Sequence, residues 1–283
     1  MAKLIMMKGL PASGKSTKAK EIVEQGNWVR VNRDLLREML HYNKWTGRNE
    51  GLTIDAEKVI VGMFLAKGIS VVVDDCNLGD KHREMWSSVA QNFKAKFEVI
   101  EVDTDWKTCV SRDVDREKAV GPDVIIANAL QYKCYQQSMP FVICDIDGTI
   151  ANIDHRLHYV KEDPKNWNSF FAELNNDEPR TEIISKVLDK IKLGYELIYV
   201  SGRPESYREE TIKWMRKHDI PTAPILMRRS NDKRPDTEVK QEIYDKYLKH
   251  YQIDCVFDDR PSVIRMWESN NLVVNNVGNG IEF

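Results

Sequence analysis

At 283 residues the chain is long enough for two domains of ordinary size rather than one. Its 42% hydrophobic and 30% charged residues, with 10 Pro and 14 Gly, belong to folded globular protein and exclude disordered and fibrous classes. A formal net charge of -2 excludes a globally basic surface, so a polyanionic partner would need local basic grooves, and no run reaches the roughly 18 apolar residues of a membrane span.

Met1 opens directly onto a strand-like segment without a charged-then-apolar signal pattern. The five cysteines, Cys76, Cys109, Cys134, Cys144 and Cys255, form no CxxC pair. Both features predict a reduced, cytoplasmic setting, with Cys144 and Cys255 as buried free thiols in apolar runs.

Apolar runs alternate with helical stripes along the whole length, the pattern of an α/β fold with parallel sheets. Strands are expected at Lys3 to Lys8, Trp28 to Val31, Ile69 to Val73 and Phe97 to Val102. Between them, Ala56, Val59, Ile60, Met63 and Phe64 trace the apolar stripe of an amphipathic helix. A polar stretch ending in Ser138 closes the first half, giving expected domains at 1–138 and 139–283. The second half restarts with a strand at Phe141 to Cys144. A helix carrying Ile183, Ile184, Val187, Leu188 and Ile191 follows, then a strand at Glu196 to Val200, helices at Glu205 to His218 and Asp236 to Tyr251, and a strand at Ile253 to Phe257.

In the first half, Gly9-Leu10-Pro11-Ala12-Ser13-Gly14-Lys15-Ser16, followed by Thr17, fits GxxxxGK[ST] between a strand and a helix. Backbone N–H groups of such a loop close around phosphate oxygens, Lys15 adds a full positive charge, and Ser16 is placed to bind Mg²⁺. Asn32-Arg33-Asp34, with Arg37 three residues on, offers a carboxylate base and a cation for a phosphoryl acceptor; the plain alternative for Asp34 is a helix cap. Asp74 and Asp75 end an apolar strand where a metal-side carboxylate belongs. Arg112 and Arg116, four apart in a charged helical stretch, share a face that could close over a triphosphate, or could be a solvated surface. As a set these residues resemble the kinase domain of phage-type polynucleotide kinase-phosphatases. The resemblance implies ATP as phosphate donor, Asp34 as general base on a 5′-hydroxyl, Arg37 against the adjacent 3′-phosphate, and Arg116 on the donor phosphates. The stretch His41 to Gly51 does not align with that pattern, so acceptor-strand contacts there stay open.

In the second half, Asp145 and Asp147 stand on a strand-to-loop turn, two carboxylates whose repulsion a Mg²⁺ ion would relieve. Asp145 can attack phosphorus, while Asp147 protonates the leaving oxygen and then activates water. Ser201-Gly202-Arg203 after a strand, Lys240 on a helix, and Asp258-Asp259 ending another strand follow in the order of the haloacid dehalogenase superfamily, which this half resembles. That likeness implies a Rossmannoid sheet with a small cap, Ser201 and Gly202 at a phosphate oxygen, Lys240 offsetting the nucleophile, and Asp145, Asp147, Asp258 and Asp259 around the metal. Within the superfamily the half is most similar to the phosphatase domain of phage-type polynucleotide kinase-phosphatases, where Arg156, Arg203 and Arg228 would hold substrate phosphate. Arg228, Arg229, Lys233 and Arg234 form a basic patch suited to a nucleic-acid strand or to plain solvation, and Trp167, Phe170 and Phe171 are spaced to pack a small cap.

The resemblance implies a bifunctional end-healing enzyme acting on RNA or DNA, upstream of a ligase and without a membrane, in the host cytoplasm if phage-encoded. It places a 3′-phosphate, and by likeness alone a 2′,3′-cyclic phosphate, among the substrates, and it implies homo-oligomerisation. Two alternatives stay open. One is a small-metabolite kinase fused to a nucleotide or sugar phosphatase, since both folds serve many substrates. The other is a binding module with decayed sites, which the intact Lys15, Asp34, Asp145 and Asp147 oppose.

Overall fold

Strands feeding amphipathic helices return in parallel. The computed structural model, which describes residues 1–161, 163–280 and 282, has this arrangement in two compact units, Met1–Tyr135 and Gln136–Phe283. Gln137 exchanges two hydrogen bonds with the backbone of Gln252, and Ser138 donates to Glu196, so the segment before Met139 is tied to the second unit. No helix among the described residues is long and apolar enough to cross a membrane.

The first unit runs β1 (Lys3–Lys8), α1 (Lys15–Glu24), β2 (Trp28–Val31), α2 (Arg33–His41), α3 (Gly47–Ala66), β3 (Ser70–Val73), α4 (Asp80–Asn92), β4 (Lys96–Glu101), α5 (Trp106–Val114) and α6 (Pro122–Gln131). Its sheet is parallel throughout, in the order β2-β3-β1-β4. The central β1 is covered on both faces, which explains why Leu4, Ile5, Met6 and Met7 form an unbroken apolar run.

Two expectations shift here. The stripe expected to bury α3 is rotated. Thr53, Glu57, Val61, Gly62 and Leu65 face inward, whereas Val59 is 71% and Met63 45% exposed. The inward face is set by the buried hydrogen bond from Arg33 to Glu57 and by Gly62, where a Cβ would meet the Phe93 ring at 2.7 Å. Periodicity alone cannot see either constraint. Likewise α5 ends at Val114, so Arg112 and Arg116 do not share a helical face. Arg116 lies in the turn beyond, paired with Asp113.

The second unit runs β5 (Phe141–Cys144), β6 (Ala151–Asn152), α7 (His158–Lys161), α8 (Trp167–Ala172), β7 (Glu178–Pro179), α9 (Thr181–Lys192), β8 (Glu196–Pro204), α10 (Arg208–Lys217), β9 (Ile225–Arg228), α11 (Asp236–Ile243), β10 (Ile253–Asp258), α12 (Pro261–Ser269) and β11 (Val274–Asn276). The main sheet is parallel in the order β11-β10-β5-β8-β9, and the β6–β7 pair, α7 and α8 form the small cap inserted after β5. Phe170 and Phe171 are buried in that cap as their spacing implied, whereas Trp167 is 39% exposed. The single helix expected over Asp236 to Tyr251 is α11 followed by a wider turn, closed by the Lys249 N–H donating to Tyr244 O at 2.9 Å. All five cysteines are free thiols. Burial raises the Cys144 pKa, and with the Asp254 hydrogen bond it pushes Cys255 up to about 12.

Candidate active sites

In the first unit the loop from Gly9 to Gly14 leads into α1, whose first residue is Lys15. The Lys15 ammonium folds into the loop, donating to Leu10 O at 2.5 Å and Ser13 Oγ at 3.4 Å. Arg112 Nη1 and Thr104 Oγ1 both donate to Ser13 O, at 3.4 and 2.8 Å, and so bring α5 and the end of β4 over the loop. Ser16 neighbours Asp74, the first residue after β3. Burial raises the Asp74 pKa against the opposing pull of Arg30 and Ser16, and its Oδ1 is buried without a hydrogen-bond partner. An orphaned carboxylate oxygen beside the loop's hydroxyl is a donor set that fits a divalent cation.

Asp34 is not the helix cap. Asn32 caps α2 by accepting from the Leu35 N–H at 3.0 Å, leaving the Asp34 carboxylate 82% exposed and paired to Arg37 at 2.5 Å. Arg37 is also gripped through two nitrogens by Glu50 of α3, at 2.9 and 3.0 Å. Beneath them Arg33 pairs with Glu57 and donates its backbone N–H to Asp75, so Asp74 and Asp75 have separate duties. Asp113 belongs to no motif in the sequence. It is buried and accepts from Arg116 and from the Val120 and Gly121 backbone N–H groups, folding the turn after α5 back on itself.

In the second unit, β5 and β10 end side by side and deliver Asp145, Asp258 and Asp259 to one place, with ligand oxygens all within 4.8 Å. Lys240 of α11 is fully buried and lies 3.0 Å from both Asp145 and Asp258, and 3.6 Å from Asp236. Burial raises the Asp145 pKa despite Lys240, and burial with the Asp258 charge pushes Asp259 up to about 6. Crowded carboxylates with raised pKa values fit a Mg²⁺ ion, whose charge would relieve that repulsion. Gly148, at φ +79, lets Asp259 approach: a Cβ there would lie 2.0 Å from its Oδ2.

Asp147 is placed differently from the expectation. Its side chain lies outside the cluster of three carboxylates, with Oδ1 held at 2.6 Å by Arg156 and by Arg203. Burial would raise its pKa, but the two arginines more than offset that and hold it well below the usual carboxylate range. Arg156 and Arg203 are themselves fully buried, braced by Asp177 at 2.6 and 2.9 Å, with Phe170 against Arg156. Asp177 carries no motif in the sequence, yet it organises both arginines. Ser201 is buried at the β8 end, and Arg228 donates to Gly202 O at 2.8 Å and pairs with Asp236. Above them opens a cavity of about 880 Å³, lined among others by Asp145, Asp147, Gly202, Arg228, Lys233 and Trp167. The basic patch is largely neutralised from within: Arg229 and Arg234 pair with Glu242, and Arg234 also with Asp232, leaving Lys233 without an ion pair among the described residues.

Residues 4–135 match the sequence model of an AAA domain. The chain is 28% identical, over 94% of its length, to a protein named for bifunctional polynucleotide kinase and RNA ligase activities from Autographa californica nuclear polyhedrosis virus. It spans 41% of that longer protein. A stretch of 100 residues is 24% identical to a protein named as a nucleotidase from Bacillus cereus, covering 35% of this chain and 49% of that one. Among solved structures, a chain of the Pnkp1/Rnl/Hen1 RNA repair complex is 26% identical, covering 99% of this chain and 97% of that chain with a TM-score of 0.44. The buried lysine, the three clustered carboxylates and the arginine-held Asp147 all fall within residues 139–281, which match the model described as the polynucleotide kinase PNKP phosphatase domain, and the chain belongs to that family.

Proposed function

We propose that the chain heals nucleic-acid ends, with a kinase in residues 1–138 that moves the γ-phosphate of ATP to a 5′-hydroxyl and a phosphatase in residues 139–283 that removes a 3′-phosphate. The observation that carries this reading is the Asp145, Lys240, Asp258 and Asp259 cluster, whose Asp145 lines a cavity large enough for a nucleotide, in a chain whose other unit presents a GxxxxGK[ST] loop.

In the kinase unit, Lys15 and the loop N–H groups, with Ser13, Gly14, Ser16 and Thr17, bind the donor phosphates, and Arg112 and Arg116 approach from α5 and its turn. Asp34 takes the proton of the acceptor hydroxyl, whose oxygen forms the new bond to phosphorus as ADP leaves. Arg37, oriented by Glu50, faces the acceptor's adjacent phosphate. Ser16 and Asp74 would hold Mg²⁺ there, and Asp145, Asp258 and Asp259 would hold it in the phosphatase, in both cases supplying charge neutralisation at phosphorus.

In the phosphatase, an Asp145 oxygen attacks phosphorus and the nucleoside oxygen leaves with a proton from Asp147. Asp147 then takes a proton from the water that hydrolyses the aspartyl phosphate. A substrate phosphate that draws Arg156 and Arg203 away from Asp147 removes the charges that depress its pKa, so proton uptake accompanies phosphate binding. Lys240 pulls the Asp145 pKa down, against the burial and the neighbouring carboxylates that raise it.

The products, a 5′-phosphate and a 3′-hydroxyl, are what a ligase consumes, and the viral relative named for RNA ligase activity supports RNA among the substrates. The deciding experiment incubates the protein with ATP, Mg²⁺ and an oligonucleotide bearing 5′-hydroxyl and 3′-phosphate ends. Gain of a 5′-phosphate and loss of the 3′-phosphate are expected. No change at either end, with turnover of small phosphorylated metabolites instead, rejects it.

A further inference from the structure

We infer that residues 42–48, the turn joining α2 to α3 and the first two residues of α3, form a stacking platform for the acceptor strand, receiving the bases that follow the 5′ nucleotide when its hydroxyl lies at Asp34. This rests on the kinase reading above. Every residue from Tyr42 to Arg48 is exposed, including two large aromatic side chains, Tyr42 at 92% and Trp45 at 69%. Lys44 and Arg48 alternate with them and form no ion pair among the described residues. By contrast, Lys118, Arg229 and Arg234 are each matched by a carboxylate. Exposed rings interleaved with uncompensated cations are complementary to a single strand, whose bases present π-faces and whose backbone is anionic.

The placement supports the same occupant. Tyr42 caps the C-terminus of α2 eight residues after Asp34, so its backbone lies ~12 Å from that of Asp34 along the helix axis. That is the reach of a di- or trinucleotide and not of a mononucleotide. The turn is also held in shape. Tyr42 and Asn43 are consecutive left-handed residues at φ 50 and 60, fixed by the Tyr42 N–H on Glu38 O, the Lys44 N–H on His41 O and Asn49 Nδ2 on Lys44 O, at 2.8 to 2.9 Å. Thr46 caps α3 by accepting from the Asn49 N–H at 3.0 Å. A pre-formed turn presents the rings without an ordering cost on binding.

The test measures phosphorylation of a 5′-hydroxyl thymidine 3′-phosphate and of 5′-hydroxyl oligothymidylates of two, three and ten residues. Anisotropy of a labelled decanucleotide without ATP gives binding independently of turnover. The wild-type KM should fall between the mononucleotide and the trinucleotide and change little beyond. Tyr42→Ala with Trp45→Ala should collapse that length preference by roughly five- to a hundredfold and weaken decanucleotide binding in parallel, and Tyr42→Phe with Trp45→Phe should restore both. Lys44→Gln with Arg48→Gln should reduce the slope of log affinity against log salt by about 1.4. A wild-type KM independent of length, or an alanine pair that keeps the length preference, overturns the platform. An alanine pair that keeps the preference but loses a dimer by sedimentation assigns the face to a second copy of the chain and overturns it too. If the wild type phosphorylates none of these acceptors, the kinase reading itself fails, and the inference with it.

Discussion

Glu57 is fully buried beside Arg33 and Asp75, and burial, reinforced by the Asp75 charge, lifts its pKa from the ordinary 4.5 up to about 9. The folded state then keeps a proton that the unfolded chain gives up above pH 4.5. The stability this supplies is complete below that pH and is lost as pH rises through about 9. Glu57→Gln keeps the volume and an acceptor for Arg33 but cannot ionise, so the melting temperature of the variant should fall less than that of the wild type between about pH 5 and 9. Parallel melting curves across that range would show that the proton resides elsewhere. Asp34 offers a sharper separation of roles, because Asn32 does the capping and the Asp34 carboxylate is largely exposed. Asp34→Asn should leave the fold and ATP binding intact while lowering kcat for 5′-hydroxyl phosphorylation by roughly a hundredfold or more. Turnover near the wild-type rate would remove Asp34 from the chemistry.

Asp177 shows how elements are joined by charge. It accepts from Arg156, which precedes the cap helices, and from Arg203 at the end of β8, and its backbone carbonyl accepts from the Trp214 indole of α10 at 2.7 Å. Breaking a buried pair leaves two guanidinium groups short of compensation, so Asp177→Ala should cost about 3–5 kcal/mol of second-unit stability in thermal unfolding, with phosphatase activity reduced in the folded fraction. An unchanged melting temperature would mean that Asp147 alone suffices to compensate both arginines. In the first unit Asp113 ties the turn beyond α5 through three hydrogen bonds. Asp113→Ala should release Arg116 and raise the KM for ATP by roughly ten- to a hundredfold, the worth of charge-assisted bonds, with little change in the KM for the acceptor. Equal effects on both KM values would point to a general loss of structure.

At the scale of the whole molecule, each unit holds its own sheet, core and complement of charges. Lys15→Ala should abolish the kinase and spare the phosphatase, and Asp145→Asn should do the reverse, because the amide cannot form the aspartyl phosphate. Folded variants that each lose both activities would show the sites to be coupled. A fragment starting at Gln136 keeps the bonds of Gln137 to Gln252 and of Ser138 to Glu196, and it should fold and release phosphate from 3′ ends by itself.

The chemistry was legible in the sequence wherever reacting groups are neighbours along the chain. The loop from Gly9 to Ser16, Asp34 with Arg37, Asp145 with Asp147, and Asp258 with Asp259 are each local, and each stands at a strand end because open α/β sheets leave those ends free for ligands. Alternation of apolar runs likewise dictated two parallel sheets. Tertiary structure alone decided which carboxylate each cation serves. Arg156 meets Asp177 across 21 residues, Arg203 meets Asp147 across 56, and Lys240 meets Asp258 across 18, and no short-range period encodes such pairings. It also turned α3 so that Glu57 rather than Val59 faces inward. A stripe of apolar residues predicts a buried face only when no buried polar contact competes for it, and the Arg33–Glu57 hydrogen bond competes here. The exposed rings of Tyr42 and Trp45 had no visible role as letters, because exposure belongs to the packing of α2 on α3 and not to the residues themselves.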